Sequence, residues 1–237
     1  SSIDDIDCDG DLDFVTFSIF GTNLEYHRHL SMENHGTCDS LEFQIRNNCW
    51  GHFSESFTSS ALQLFDTCDN SNLGVAAEYI PDPTLLVNKS ASRHSGSTVL
   101  TIDENGDGVK DVLIGDVSYT KMSMLINGGA SPNNNSSMIF QDTTFPSYDN
   151  PINLKIFPAA FYEDVTSDGN RDLIVGTNTA NQSADKSSMH YYLNTGTDIN
   201  PTFSFQQDNL LQDQMIDVGT GSIPTFFDHN SDGMMDI

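Results

Sequence analysis

The chain has 237 residues, with 34 acidic against 9 basic side chains and a formal net charge of −25. So negative a field excludes a nucleic-acid binder, which needs a basic footprint, and direct adsorption to anionic membranes. No stretch reaches the roughly 18 apolar residues of a membrane-spanning helix, and the length suffices for one all-β domain with a substantial core.

In chain order, the first distinctive stretch is Asp5-Ile6-Asp7-Cys8-Asp9-Gly10-Asp11-Leu12-Asp13. Its pattern returns as Asp103-Glu104-Asn105-Gly106-Asp107-Gly108-Val109-Lys110-Asp111 and as Asp164-Val165-Thr166-Ser167-Asp168-Gly169-Asn170-Arg171-Asp172. The fourth copy is Asp228-His229-Asn230-Ser231-Asp232-Gly233-Met234-Met235-Asp236. Oxygen-bearing side chains stand at positions 1, 3, 5 and 9 of each copy, and glycine at position 6. Hard oxygen ligands alternating along a tight loop suit Ca²⁺, which takes six to eight oxygens at about 2.3–2.6 Å. The glycine permits a sharp turn where a Cβ would be penalised. Position 7 (Asp11, Val109, Asn170, Met234) varies freely, as expected if only its backbone carbonyl meets the metal. Up to four Ca²⁺ ions are expected, and metal binding accounts for much of the acidic excess.

An EF-hand begins with similar spacing but needs a bidentate glutamate at position 12 and flanking helices. Position 12 here is Thr16, Ile114 or Val175. The runs after the loops, Phe14-Val15-Thr16-Phe17, Val112-Leu113-Ile114-Gly115 and Leu173-Ile174-Val175-Gly176, are β-branched and aromatic. They read as buried strands. Thr98-Val99-Leu100-Thr101-Ile102, Ala159-Ala160-Phe161-Tyr162 and Pro224-Thr225-Phe226-Phe227 precede the later loops and also read as strands. Each loop is therefore the connection of a β-hairpin.

A strand, the pattern Asp-x-Asn/Asp-x-Asp-Gly-x-x-Asp and an apolar strand ending in glycine resemble the FG-GAP or VCBS repeat. The resemblance covers about two-thirds of the chain and leaves residues 21–97 poorly matched. It implies the calcium-binding blades of integrin-α-like propellers and of secreted Bacteroidota surface proteins. The repeat itself names no partner.

After the second loop come Ser123-Met124-Leu125-Ile126, the turn Asn127-Gly128-Gly129 and Met138-Ile139-Phe140-Gln141-Asp142. After the third come Met189-His190-Tyr191-Tyr192-Leu193, the turn Asn194-Thr195-Gly196 and Phe203-Ser204-Phe205-Gln206-Gln207-Asp208. After the first, Leu41-Glu42-Phe43-Gln44-Ile45, the turn Asn47-Asn48 and Ala61-Leu62-Gln63-Leu64-Phe65 are aligned with them. Four antiparallel strands repeated every 60 or so residues predict an all-β fold, a β-propeller segment of four-stranded blades. The blades fall at 1–70 (with insertions to 97), 98–150, 151–215 and an incomplete 216–237. The chain opens and closes against metal loops and so reads as part of a longer polypeptide.

The longer first interval places polar excursions at 21–40 and 70–97, carrying His27, Arg28, His29, His35, Arg93 and His94, with Trp50 between them. Such excursions suit partner binding, and part of 21–40 or 70–97 is expected at the opposite end from the loops or on the outer rim, although a decorated loop or an extra outer strand explains them more readily. His27 and His29 share a strand face but lack a metal-ligand partner at the right spacing. Tyr162, Tyr191, Tyr192, Phe205 and Phe226 offer a carbohydrate platform, yet strand-spaced aromatics more often form core. Among Cys8, Cys38, Cys49 and Cys68, the expected bridge is Cys49 with Cys68, or Cys38 with one of them, with free buried thiols as the alternative. The Asn-x-Ser/Thr sites at Asn88, Asn134, Asn135 and Asn181 occur readily by chance in so Asn/Ser-rich a chain.

No nucleophile elbow, zinc-protease helix or phosphate loop occurs, and the chain is not expected to be an enzyme. Filled loops at millimolar Ca²⁺ point to a secreted or cell-surface setting. The expected role is adhesion or structural interaction, with an extracellular protein, a glycan or the rest of the same surface assembly as partner. The alternative is the non-catalytic propeller of a secreted polysaccharide-degrading enzyme.

Overall fold

A computed structural model of the protein describes residues 1–18, 22–56, 61–68, 96–132, 134–179, 182–184, 186–215, 223 and 225–236. The described residues form three four-stranded antiparallel sheets and one two-stranded sheet. The first sheet runs in the order β1 (Ser2–Asp4), β2 (Asp13–Phe17), β3 (Leu24–His29) and β4 (Phe43–Trp50), with the short helix α1 (Ser31–His35) between β3 and β4. β5 (Phe53–Glu55) and β6 (Leu62–Leu64) make a separate hairpin. The second sheet holds β7 (Ser97–Ile102), β8 (Asp111–Asp116), β9 (Met122–Asn127) and β10 (Met138–Asp142) as consecutive neighbours. The third repeats that order with β11 (Pro158–Glu163), β12 (Asp172–Thr177), β13 (Met189–Asn194) and β14 (Phe203–Gln207).

The second sheet lies between the other two, and its sequence shows why. Side chains alternate between strand faces. In β8, Val112 and Ile114 join one core with Val15, Leu24, Tyr26 and Trp50 of the first sheet. Leu113 turns the other way, into a core with Tyr162, Leu173, Val175, Tyr192 and Phe203 of the third sheet. Every residue of β8 is buried, so its uninterrupted apolar run is what a strand covered on both faces requires. The sheets approach so closely that a Cβ on Gly115 would lie 2.1 Å from the Pro158 carbonyl oxygen. Thr98 Oγ1 donates to that same oxygen at 2.7 Å, and Ser2 Oγ lies 2.8 Å from Thr101 Oγ1.

The first repeat departs from its sequence alignment. The segment at 21–40 is only partly an excursion, because Leu24–His29 is the third strand of the first sheet. Asn47 and Asn48 make no turn; they lie inside β4, the sheet's fourth strand, beside a register shift opposite Tyr26. Leu62–Leu64 pairs with Phe53–Glu55 and not with the first sheet. A three-residue strand, β1, does precede the first loop. Trp50 is core, Cys49 and Cys68 are bonded, and Cys8 and Cys38 are free and exposed. Of the five aromatics, Tyr162 and Tyr192 are buried and Phe205 packs against them, whereas Phe226 is 63% exposed. Most of 70–97, with Arg93 and His94, lies outside the described residues, as do Asn88 and Asn181.

Candidate metal centre

All four loops close with one hydrogen-bond skeleton. The position-1 aspartate accepts backbone N–H groups from across the turn. Asp103 Oδ1 takes Gly106 and Asp107 at 2.8 and 3.1 Å, and its Oδ2 takes Gly108 at 2.8 Å. Asp5 holds Asp9 and Gly10, Asp164 holds Asp168 and Gly169, and Asp228 holds Asp232 and Gly233 in the same way. The position-5 carboxylate accepts from position 7: Asp9 from Asp11, Asp107 from Val109, Asp168 from Asn170, and Asp232 from Met234. Such bonds keep carboxylates turned inward on a loop too short for a helix or ladder to organise.

Position 9 ties the loop to its sheet. Asp111 Oδ2 accepts the Glu104 N–H at 3.0 Å while Oδ1 accepts that of Asn127, at the end of β9, at 2.7 Å. Asp13 does the same with Ile6 and His29, Asp172 meets Asn194, and Asp236 accepts from His229. The residue before position 1 always faces position 9 in antiparallel register: Asp4 with Asp13, Ile102 with Asp111, Glu163 with Asp172, and Phe227 with Asp236. The turn after each sheet's third strand therefore shares an end with that sheet's loop. Lys110 Nζ of the second loop lies 2.8 Å from Asp4 Oδ2, at the end of β1.

Sequence reading found the position-6 glycines but missed position 4. Both have positive φ in every copy: Cys8, Gly106, Ser167 and Ser231 at 62°, 76°, 59° and 64°, and the position-6 glycines between 82° and 100°. The signal was present in Gly106, the one glycine at position 4.

Three of the four position-9 aspartates, Asp13, Asp111 and Asp172, are buried at 0% exposure, and Asp236 is half-buried. Burial pushes the Asp13 carboxyl up to about 6 and the Asp111 carboxyl up to about 7, despite the backbone bonds that favour their ionised forms. Partial burial, with Asp142 and Asp103 nearby, raises Glu104 to about 7. A cation at such a site offsets the cost of ionising these groups. In the first loop, one oxygen each of Asp5, Asp7 and Asp13 lie within 4.8 Å of one another, and Asp7, Asp9 and Glu33 form a second such group. Asp7 Oδ1 is buried without a hydrogen-bond partner. All-oxygen donors and an orphaned carboxylate oxygen fit a hard divalent cation.

The remaining expected ligands sit on the loops with less convergence. Asn105 and Asn230 turn their amide nitrogens to Asp107 and Asp232 at 3.0 Å, and Thr166 is exposed. The Asp11 side chain leaves its loop: Oδ2 accepts the Met32 N–H at 3.0 Å and Oδ1 faces His29 Nδ1 at 3.5 Å. Val109 packs inward at 2% exposure and Met234 is 68% exposed, and neither has a side-chain oxygen to offer an ion. Glu33 carries no motif and was missed; only the path of the chain through α1 brings it to Asp7. The later part of the 21–40 excursion thus sits at the loop end of the first sheet, and most of 70–97, the other stretch expected at the opposite end or rim, lies outside the described residues.

No protein-family model, curated protein or solved structure matches the chain.

Proposed function

We propose that the chain is a calcium-stabilised β-propeller segment serving as an adhesion or structural interaction module of a larger secreted or cell-surface protein. One observation carries the reading: four loops of one oxygen-rich pattern, each closed by the same hydrogen bonds onto an antiparallel pair. Three stacked four-stranded sheets repeat in chain order, the arrangement from which propellers are built.

In this reading the aspartates at positions 1, 5 and 9, the oxygen side chain at position 3 and the position-7 carbonyl hold the ion. Calcium supplies positive charge that lets the gathered carboxylates ionise without repulsion, and it does no chemistry on a substrate. The Cys49–Cys68 bond accords with an oxidising, extracellular setting. The partner is an extracellular protein or glycan, or a neighbouring part of the same assembly.

Thermal melting in millimolar Ca²⁺ and in chelator tests the stabilising role. The melting temperature is expected to fall by about ten degrees without the ion, what a loss of roughly 2.5–5 kcal/mol does in a domain of this size. Equal melting temperatures would contradict it.

A further inference from the structure

The first loop differs from its three copies in holding a cation of its own. Arg28, on β3, sets its guanidinium among Asp7, Asp9 and Glu33. Nε meets Asp7 Oδ2, and Nη2 lies 2.5 Å from Glu33 Oε1 and 3.7 Å from Asp9 Oδ2. The Asp7 side chain is 0% exposed, so this contact is shielded from solvent. The second and third loops also carry a basic residue, but each pairs with an aspartate that is not one of its own loop's expected ligands. Lys110 reaches Asp4 outside its loop, and Arg171 pairs with Asp198 through Nε and Nη2. Only in the first loop, among the described residues, does a basic side chain grip expected metal ligands of its own repeat.

We propose that Arg28 is a built-in counter-cation of the first loop that competes with a divalent ion for Asp7. The inference rests on the calcium reading above. A positive charge beside a cation site opposes the incoming ion, and an ion pair removed from water is not screened as a surface pair is. The guanidinium fork must yield Asp7 or share it before that carboxylate can serve a metal fully. Glu33 holds the other side of the guanidinium, and α1 is fastened to the loop through the Met32 N–H on Asp11. The first loop is thus shaped without metal and takes it less readily than the second and third.

The position-6 glycines give one reporter per loop, since Gly10, Gly108 and Gly169 each donate to a position-1 aspartate at 2.8–3.1 Å. Calcium is titrated into the ¹⁵N-glycine-labelled full chain, wild type and Arg28→Gln, and each amide is followed by NMR. In the wild type, Gly10 is expected to respond after Gly108 and Gly169. In Arg28→Gln its midpoint moves to roughly tenfold lower calcium, while the other two stay and the melting temperature in chelator drops. A purely structural arginine would lower both stability and Gly10 affinity. An unchanged or raised Gly10 midpoint, with Gly108 and Gly169 responding, overturns the role of Arg28 and leaves the calcium reading standing. If no glycine responds in the wild type, both fall. Should the variant not fold, the order in the wild type decides: Gly10 responding first or together with the others refutes the competition.

Discussion

Asp111 and Asn127 are joined by a 2.7 Å hydrogen bond from the Asn127 backbone N–H to Asp111 Oδ1, linking the loop to the third strand of its sheet. Asp13 with His29 and Asp172 with Asn194 repeat that bond at 2.7 and 2.8 Å. Position 9 therefore serves two ends, closing the hairpin and supplying a carboxylate. Removing the side chain should cost more than removing its charge.

Asp111→Ala leaves the N–H groups of Asn127 and Glu104 without acceptors, at about 1–3 kcal/mol each. Asp111→Asn keeps an acceptor oxygen and loses the charge. Denaturation in chelator is expected to show a large loss for alanine and a small one for asparagine. Calcium titration should show one site weakened in both. Equal stability losses would mean that the two bonds are not what position 9 contributes.

Position 4 separates the loops by strain. Ser167, at φ 59°, adopts a left-handed conformation that costs a side-chain-bearing residue roughly 1–2 kcal/mol. Ser167→Gly is expected to raise stability by about 0.5–1 kcal/mol. Gly106→Ser should lower it, because a Cβ there also meets Asn200 Cβ and the Ile199 carbonyl oxygen at 3.1 Å. Urea midpoints of the two variants moving the same way would count against this.

The buried carboxyls give the metal-free protein an unusual pH slope. Burial raises Asp13 to about 6, and Asp111 and Glu104 to about 7, from ordinary values of 3.8 for aspartate and 4.5 for glutamate. Between the ordinary and raised values the folded chain binds more protons than the unfolded one, so stability falls as pH rises through that window. In chelator, the melting temperature should be higher at pH 5 than at pH 8. Calcium favours the ionised forms and should flatten or reverse the slope. A higher melting temperature at pH 8 in chelator would contradict the assignment.

What could be read in advance divides along physical lines. The second and third repeats were legible because β8 and β12 carry dense apolar runs between a glycine-marked loop and an Asn/Gly or Asn/Thr/Gly turn. The first repeat was not, since β3 is Leu24-Glu25-Tyr26-His27-Arg28-His29 and only Leu24 and Tyr26 enter the core. Its other side chains serve different ends. His27 stacks on Phe14, His29 stacks on Phe43, and Arg28 enters the loop. Asn47-Asn48 had the composition of a turn, but the register shift in β4 lets Asn47 Oδ1 accept the Cys49 N–H within the strand. The ligand spacing was visible because it is local; Glu33 and Arg28 were not, because tertiary packing alone brings them there.

Calorimetric titration of Ca²⁺ into chelator-stripped protein tests the central claim most directly. The account predicts saturable binding at millimolar calcium or below, with the second and third loops filling and Asp107→Ala removing one site and no more. Absence of any binding heat at several millimolar Ca²⁺, with the protein folded, would contradict it.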